Sequence, residues 1–176
     1  MQVLILPGYS NKNERERDSI AASLREDGHT VSAHGWQHWE KDSAQFSLEA
    51  ELTRIGELIG SQRTSEAFAV VGKSVGVFVA AALLQNNPAV AARTRRVLLM
   101  GVPIGGAGEE ERDQLYQALS ELDIPVTVVQ NTEDKYGSAD AVRAFLEGLP
   151  VEFIVREAKN HRYDYPELVS EIIGRA

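Results

Sequence analysis

The sequence predicts an α/β fold with three layers, in which a doubly wound, six-stranded parallel sheet lies between two layers of helices. Six short apolar runs alternate along the chain with longer segments of helical periodicity. Most of the runs are apolar throughout, as is typical of strands covered on both faces. A repeated βα pattern with right-handed crossovers produces an open parallel sheet. The 176 residues contain no linker, repeat or low-complexity tract, so we predict one domain over residues 1–176.

The predicted strands are short segments rich in Val, Ile, Leu and Ala, with few charges. Apolar runs of roughly four to eight residues are typical of strands in a buried sheet. The six predicted strands are Val3–Leu6, Thr30–Ala33, Ala67–Val71, Val97–Met100, Val126–Val129 and Val151–Val155.

Helix-length segments lie between these strands, and most have apolar residues at one-face spacing. The first carries Ile20, Ala21 and Leu24 on one face and stops at Gly28, a residue type favoured at helix C-termini. The third is apolar almost all round, which predicts a helix buried in the centre of the fold. The predicted helices are Asn13–Asp27, Gln45–Ile59, Val75–Gln85, Glu109–Leu122, Ala139–Leu146 and Pro166–Ile173.

The composition excludes several classes of function. The chain has 18 Lys and Arg against 26 Asp and Glu, a net charge of −8, whereas nucleic acids and anionic membranes require a basic surface. It has no Cys, so neither a cysteine nucleophile nor a Cys-based zinc site is available. The N-terminal apolar run is too short for a signal peptide or a membrane span. We therefore expect a cytoplasmic protein that acts on a small molecule.

The most informative segment follows the third predicted strand, where the sequence is Gly72-Lys73-Ser74-Val75-Gly76. This is G-x-S-x-G at a strand-turn-helix junction, the context in which a serine nucleophile sits on a sharp, strained turn. The flanking glycines lack the Cβ atoms that would clash in such a turn. Two other interpretations compete. Ser74 can simply cap the following helix, or the segment can end a phosphate-binding loop, but Ala67 stands where that loop requires glycine.

A serine nucleophile requires a general base, and the chain has four histidines. In an open parallel sheet the ligand lies beyond the carboxyl ends of the strands. His29 precedes its strand and is predicted to lie at the opposite edge. His34 and His38 follow the second strand and His161 follows the sixth, so these three are candidates for the edge where Ser74 lies.

The acid that orients the base is expected in the turn-rich loop after the fifth strand, at the same edge. Asp134 is the first candidate, with Glu133 and Asp140 as competitors. The chain order Ser74, Asp134, His161 is the order of nucleophile, acid and histidine found in one enzyme fold. We therefore predict these three residues as a catalytic triad.

The segment His34-Gly35-Trp36-Gln37-His38-Trp39 combines two histidines with both tryptophans of the chain. A His-x-x-x-His pair binds metal on a regular helix, but Gly35 disfavours such a helix and no acidic ligand pattern accompanies the pair. We therefore predict no metal site. The tryptophans are predicted either to pack over the sheet edge or to line a pocket or a partner surface.

These features resemble the α/β-hydrolase superfamily over nearly the whole chain. The resemblance is carried by Pro7-Gly8-Tyr9 after the first strand, by Gly72-x-Ser74-x-Gly76, and by Asp134 and His161. The sequence is most similar to small members with little or no lid, such as the retinoblastoma-binding-protein-9-like serine hydrolases. Two positions depart from the usual pattern. Pro7 replaces a histidine that often braces the loop, and Lys73 stands where His or Gln is more common.

The resemblance implies a strand order of 2-1-3-4-5-6 and a serine hydrolase that cleaves a small carboxylester, thioester or amide through an acyl-enzyme. Ser74 attacks, His161 transfers the proton, Asp134 holds the imidazole, and the amides of Val75 and Tyr9 form the oxyanion hole. No cofactor is implied. The short glycine-rich segment after the fourth strand predicts an open cleft without a helical lid. The alternative is a hydrolase-fold protein without turnover that acts as a binding or interaction module, because fold does not fix function.

Overall fold

The computed structural model describes residues 1–40, 45–60 and 66–175. Within these ranges six strands form one sheet. They are β1 (Gln2–Leu6), β2 (Thr30–Ala33), β3 (Phe68–Lys73), β4 (Thr94–Met100), β5 (Val126–Asn131) and β6 (Val151–Arg156). All six predicted strands are present, and most extend one or more residues beyond the predicted ends.

The same ranges contain eight helices, and a short 3-10 turn at Asn11–Asn13 precedes the first. They are α1 (Glu14–Glu26), α2 (Gln37–Glu40), α3 (Leu48–Gly60), α4 (Val75–Asn86), α5 (Pro88–Arg93), α6 (Glu109–Ser120), α7 (Ala139–Phe145) and α8 (Pro166–Gly174). The six predicted helices are present, whereas α2 and α5 are absent from the prediction. In the described residues, no helix has the length and apolar character that a membrane span requires.

The sheet has the strand order β2-β1-β3-β4-β5-β6, and all five neighbouring pairs are parallel. The predicted fold class and strand order are therefore confirmed. Because all strands run the same way, their carboxyl ends meet at one edge. The chain changes direction across the sheet between β1 and β3, where Leu6 is paired with Gly72. Ligand sites in such sheets lie at this switch point.

Alternating side chains of the sheet build one apolar core on each face. Leu4 and Leu6 of β1 belong to the core that includes Ile55 of α3 and Leu115 of α6. Helix α4 contributes most of its length to this core, as its uniformly apolar sequence predicts. Val3 and Ile5 point to the opposite core, which α1 and α8 cover. The two cores fix β1 and β3, and thereby the loop and turn that follow them.

Candidate active site

The turn between β3 and α4 presents Ser74 in a strained backbone conformation. Ser74 has φ 55° and ψ −119°, and within the described residues its hydroxyl makes no capping hydrogen bond to α4. A Cβ on Gly76 would lie 2.1 Å from the Leu6 carbonyl oxygen, and a Cβ on Gly72 would lie 2.6 Å from the Gly76 oxygen. The two glycines therefore allow α4 to begin directly against β1 and β3. Ser74 consequently occupies a sharp turn at the carboxyl edge of the sheet.

Asp134 and His161 form a close pair beyond the ends of β5 and β6. Asp134 Oδ2 accepts hydrogen bonds from His161 Nδ1 at 2.6 Å and from the Tyr163 hydroxyl at 2.6 Å. Asp134 Oδ1 accepts the Tyr136 N–H at 2.9 Å. Burial tends to raise the pKa of Asp134, but these hydrogen bonds outweigh burial and hold its pKa below the usual value. The carboxylate is therefore ionised at neutral pH and fixes a proton on His161 Nδ1.

The other two acid candidates lie away from His161. Glu133 pairs with Lys159 at 2.8 Å, and both side chains are largely exposed. Asp140 is exposed in the first turn of α7, where its charge is favourable beside the helix N-terminus. Asp134 is thus the carboxylate of this loop that contacts the histidine.

The second ring nitrogen of His161 is left for other chemistry. Tyr136 and Tyr163 pack edge-on against the His161 ring, with centroid distances of 4.8 Å and 5.7 Å. His161 Nε2 is buried and has no hydrogen-bond partner within the part of the chain that the structure describes. The ring lines the same cleft as Ser74. A neutral imidazole in this arrangement can accept the proton of a serine hydroxyl.

Tyr9 and Val75, whose amides are the predicted oxyanion donors, also line this cleft. Val75 is the first residue of α4, where backbone N–H groups have no partner inside the helix. Tyr9 follows the buried Gly8 in the loop after β1, and its side chain is 54% exposed. Across residues 1–40, 45–60 and 66–175, neither amide donates a hydrogen bond. Both N–H groups are therefore available to a ligand.

His34, one of the alternative bases, has a different role in the fold. It is buried, and its Nε2 lies 2.8 Å from Glu51 Oε2. Burial lowers the pKa of His34 even though the Glu51 carboxylate opposes this shift. The neutral ring therefore donates its Nε2 proton to Glu51 and connects the end of β2 to α3.

The other aromatic residues of this segment bind the loop after β1. Trp36 is fully buried, and its Nε1 donates to the Gly8 carbonyl at 2.9 Å. Trp39 Nε1 and His38 Nε2 both donate to the Tyr9 carbonyl, at 2.7 Å and 2.8 Å. His38 also stacks on the Tyr9 ring at a centroid distance of 4.4 Å. The predicted packing of the tryptophans fits Trp36 and also Trp39, which is partly buried against the same core while its Nε1 bonds to Tyr9.

Lys73 provides a buried cation behind the nucleophile. Only 5% of the residue is exposed, and its Nζ donates to Asn13 Oδ1 at 2.6 Å. Burial lowers the pKa of Lys73, although the charges of Glu16 and Asp134 act in the opposite direction. Burial likewise raises the pKa of Glu16, against the charge of Lys73. The charge of Lys73, next to Ser74, is therefore accompanied by two carboxylates, those of Glu16 and Asp134.

The cleft that these groups share has a volume of about 540 Å³. The loop at residues 101–108 leads directly from β4 to α6, so no helix lies between them. The lining also includes Phe78 of α4, Pro103 of this loop and the ring of Tyr136. The cleft is therefore largely aromatic and apolar around the candidate nucleophile.

A sequence model described as an alpha/beta hydrolase domain matches residues 18–170 of the chain. The chain belongs to the alpha/beta hydrolase family. No curated protein matches this hydrolase. Its fold is shared by many solved structures. One is a serine hydrolase homologue from Coxiella burnetii, with a TM-score of 0.76 and 16% identity over 99% of this chain and 84% of that one.

Two other structures with this fold have substrate-related names. A pyrethroid hydrolase from Sphingobium faniae has a TM-score of 0.74 and 12% identity over 99% of this alpha/beta hydrolase and 96% of its own chain. Est1E from Butyrivibrio proteoclasticus, solved with ferulic acid bound, has a TM-score of 0.74 and 14% identity, with coverage of 99% and 88%. At these identities the likeness shows the fold.

The structure of this alpha/beta hydrolase brings Ser74, His161, Tyr9 and Val75 to one cleft and places Asp134 behind His161. Tyr163, Tyr136 and Phe78 also contribute to this site, although the sequence does not predict them. Phe78 had a usable signal, because a residue one helical turn after Ser74 faces the same side of α4. Tyr163 had none, since its approach to Asp134 depends on how the loop before α8 folds back.

Proposed function

We propose that this alpha/beta hydrolase is a serine hydrolase that cleaves a small carboxylester, thioester or amide through an acyl-enzyme. The observation that carries the proposal is the His161 ring. Asp134 holds it through Nδ1, while Nε2 has no partner among the described residues and the ring shares a cleft with Ser74. This is the arrangement that a general base for a serine nucleophile requires.

Acylation proceeds in two steps. His161 Nε2 accepts the Ser74 hydroxyl proton as Oγ forms a bond to the carbonyl carbon of the substrate. The oxygen that gains the electron pair accepts hydrogen bonds from the amides of Tyr9 and Val75. When the tetrahedral intermediate collapses, the bond to the leaving group breaks and His161 returns the proton to that group.

Deacylation repeats these steps with water as the nucleophile. His161 takes a proton from water, the oxygen of that water attacks the acyl carbon, and the acid product leaves as Ser74 regains its proton. Asp134 remains ionised throughout and stabilises the imidazolium that forms in each step. This role agrees with the hydrogen bonds that lower its pKa.

The cleft supports a small substrate with an apolar acyl or aryl group. Its volume of about 540 Å³ lies within the range of ordinary small-molecule sites. Tyr9, Phe78 and Tyr136 offer ring faces and edges to such a group. The proposed reaction requires no metal or organic cofactor, because all proton transfers run through His161.

Labelling with a fluorophosphonate tests this proposal. The wild type should react with one equivalent of probe at Ser74, and Ser74→Ala should show neither labelling nor hydrolysis of p-nitrophenyl acetate. The exposed Ser120, at the end of α6, provides the control, and Ser120→Ala should be labelled like the wild type. A folded wild-type protein that is not labelled would instead support a binding module without turnover.

A further inference from the structure

The peptide that carries the proposed oxyanion donor Tyr9 N–H is anchored on its opposite side by an indole. The Gly8 carbonyl accepts a hydrogen bond from Trp36 Nε1 at 2.9 Å. Trp36 is fully buried and packs edge-on against His34 and Phe46, with centroid distances of 4.8 Å and 5.4 Å. The indole N–H of Trp36 is therefore held in place by the packing of its own ring and does not depend on the position of the loop that carries Gly8.

This hydrogen bond determines the direction of the amide. The carbonyl of Gly8 and the N–H of Tyr9 belong to the same peptide, which is planar and trans. The two groups therefore point in opposite directions. With the carbonyl fixed toward the buried indole, the N–H points away from that indole, and Tyr9 itself lines the cleft.

A second contact restricts rotation of this peptide. The Asn13 side chain packs so close to Gly8 that a Cβ there would lie 2.9 Å from its amide group. Asn13 is itself held by Lys73 Nζ at 2.6 Å and donates to the Ser10 carbonyl at 2.6 Å. A flip of the peptide would turn its carbonyl away from Trp36, and within the described residues no other donor bonds to that oxygen.

The next peptide provides a natural contrast. Its carbonyl, Tyr9 O, accepts from both Trp39 Nε1 and His38 Nε2. Loss of one of these donors leaves the other in place. Tyr9 O also belongs to the peptide between Tyr9 and Ser10, which does not contain the Tyr9 N–H.

We infer that Trp36 is a positioning residue for the oxyanion hole, because its hold on the Gly8 carbonyl turns the Tyr9 N–H toward the reacting oxygen. This inference rests on the proposed function. According to this inference, the effect of Trp36 on catalysis comes from its indole N–H and not from the volume of its ring. The expected signature is weaker binding of the tetrahedral state with little change in binding of the planar substrate.

The test compares Trp36→Phe with Trp39→Phe. Both substitutions remove an indole N–H, from the Gly8 carbonyl in the first variant and from the Tyr9 carbonyl in the second. Complete loss of an oxyanion donor costs about 100- to 1,000-fold in kcat, so a misdirected donor should cost about 10- to 100-fold. We expect Trp36→Phe to lower kcat for p-nitrophenyl acetate by that factor, with KM within about threefold of the wild type. Trp39→Phe should change kcat by less than about threefold, because His38 still holds Tyr9 O.

Inhibition by phenylboronic acid separates positioning from general structural damage. Boron forms a bond to Ser74 Oγ while His161 takes the hydroxyl proton, and a boron-bound oxygen enters the oxyanion hole. The inhibition constant of Trp36→Phe should rise by the same factor by which kcat/KM falls. If Trp36→Phe does not fold, benzothienylalanine at position 36 replaces the indole N–H by sulfur in a ring of the same shape and serves in its place.

The outcomes of the two proposals are distinguishable. A folded Trp36 variant whose kcat and boronate inhibition match those of the wild type would overturn the inference and leave the serine hydrolase proposal intact. Equal losses in Trp36→Phe and Trp39→Phe would also overturn it, since the effect would then follow tryptophan packing. A wild-type protein without fluorophosphonate labelling would overturn the proposed function itself, and this inference with it.

Discussion

Tyr163→Phe should destabilise the protein through two lost hydrogen bonds, one to Asp134 and one from Asn131, rather than through packing. Tyr163 is fully buried, and Phe fills the same space except for one oxygen. That hydroxyl donates to Asp134 at 2.6 Å and accepts the Asn131 N–H at 3.1 Å. A hydrogen bond to a charged group contributes about 1.5–3 kcal/mol, and an unpaired buried N–H costs about 1–3 kcal/mol. The free energy of unfolding should therefore fall by roughly 4 kcal/mol at neutral pH.

The size of this loss should depend on pH in a defined direction. Folding lowers the pKa of Asp134 from 3.8, so near and below that pH the unfolded chain binds more protons and the wild type loses stability. Tyr163→Phe removes one of the bonds that lower this pKa, so the variant should lose stability less steeply. The difference in unfolding free energy between the two proteins should narrow as the pH falls below about 4, where Asp134 becomes protonated in the folded variant before it does in the folded wild type.

Urea denaturation followed by circular dichroism at several pH values measures both effects. Tyr165→Phe is the matched control, because its half-buried hydroxyl donates to the neutral side-chain oxygen of Asn131 at 2.8 Å. The control should lose only about 1 kcal/mol. The difference in unfolding free energy between Tyr165→Phe and the wild type should stay constant over the pH range in which Asp134 titrates. Equal losses in both variants, or a Tyr163→Phe gap that widens toward acid pH, would refute the reasoning.

Two further substitutions test the packing around the site. Gly76→Ala would place a Cβ 2.1 Å from the Leu6 carbonyl, so we expect a loss of at least about 3 kcal/mol in urea denaturation. Gly56→Ala is the control, because a Cβ there meets nothing within 4 Å, and it should leave the free energy of unfolding unchanged or slightly higher. Equal losses in Gly76→Ala and Gly56→Ala would contradict this prediction. Glu51→Gln removes a buried carboxylate that accepts a hydrogen bond from His34, so the free energy of unfolding should fall by roughly 3 kcal/mol. A loss of less than about 1 kcal/mol in thermal denaturation would contradict this expectation.

The sequence predicts the sheet well because its four central strands, β1, β3, β4 and β5, lie in the interior. Strands covered on both faces must be apolar, and this requirement leaves a continuous pattern that does not depend on distant contacts. Short elements carry less of this signal. Helix α2 is a single turn, and α5 depends on local chemistry, with Asn87 accepting the Val90 N–H and Pro88 in the first turn.

The choice among neighbouring carboxylates depends on contacts that spacing does not reveal. Asp134 and Glu133 are adjacent in one loop, and either is compatible with a triad by chain order alone. The structure separates them because the loop turns Asp134 toward His161 and Tyr163 and leaves Glu133 beside the exposed Lys159. Of these partners, only His161 was a candidate on sequence grounds.

The two departures from the superfamily pattern are linked in the structure. Proline has no side-chain donor, so Pro7 cannot brace the loop after β1 as a histidine does. Asn13 contacts that loop instead, and Lys73, the second unusual residue, bonds to the Asn13 side chain. The buried ammonium requires compensating charge, which Glu16 and Asp134 provide.

Glu16 shows why this arrangement is hidden in the sequence. It belongs to a strongly charged stretch of α1 that is typical of a solvated helix face, yet it accepts the Tyr163 N–H at 3.1 Å and faces Lys73. The burial of a charged residue on a helix depends on which elements pack against it. The partners of Glu16 are Lys73, at the end of the third strand, and Tyr163, in the loop before α8. Charge patterning within one helix therefore cannot reveal the electrostatic interaction of the half-buried Glu16 with Lys73, a residue of the third strand.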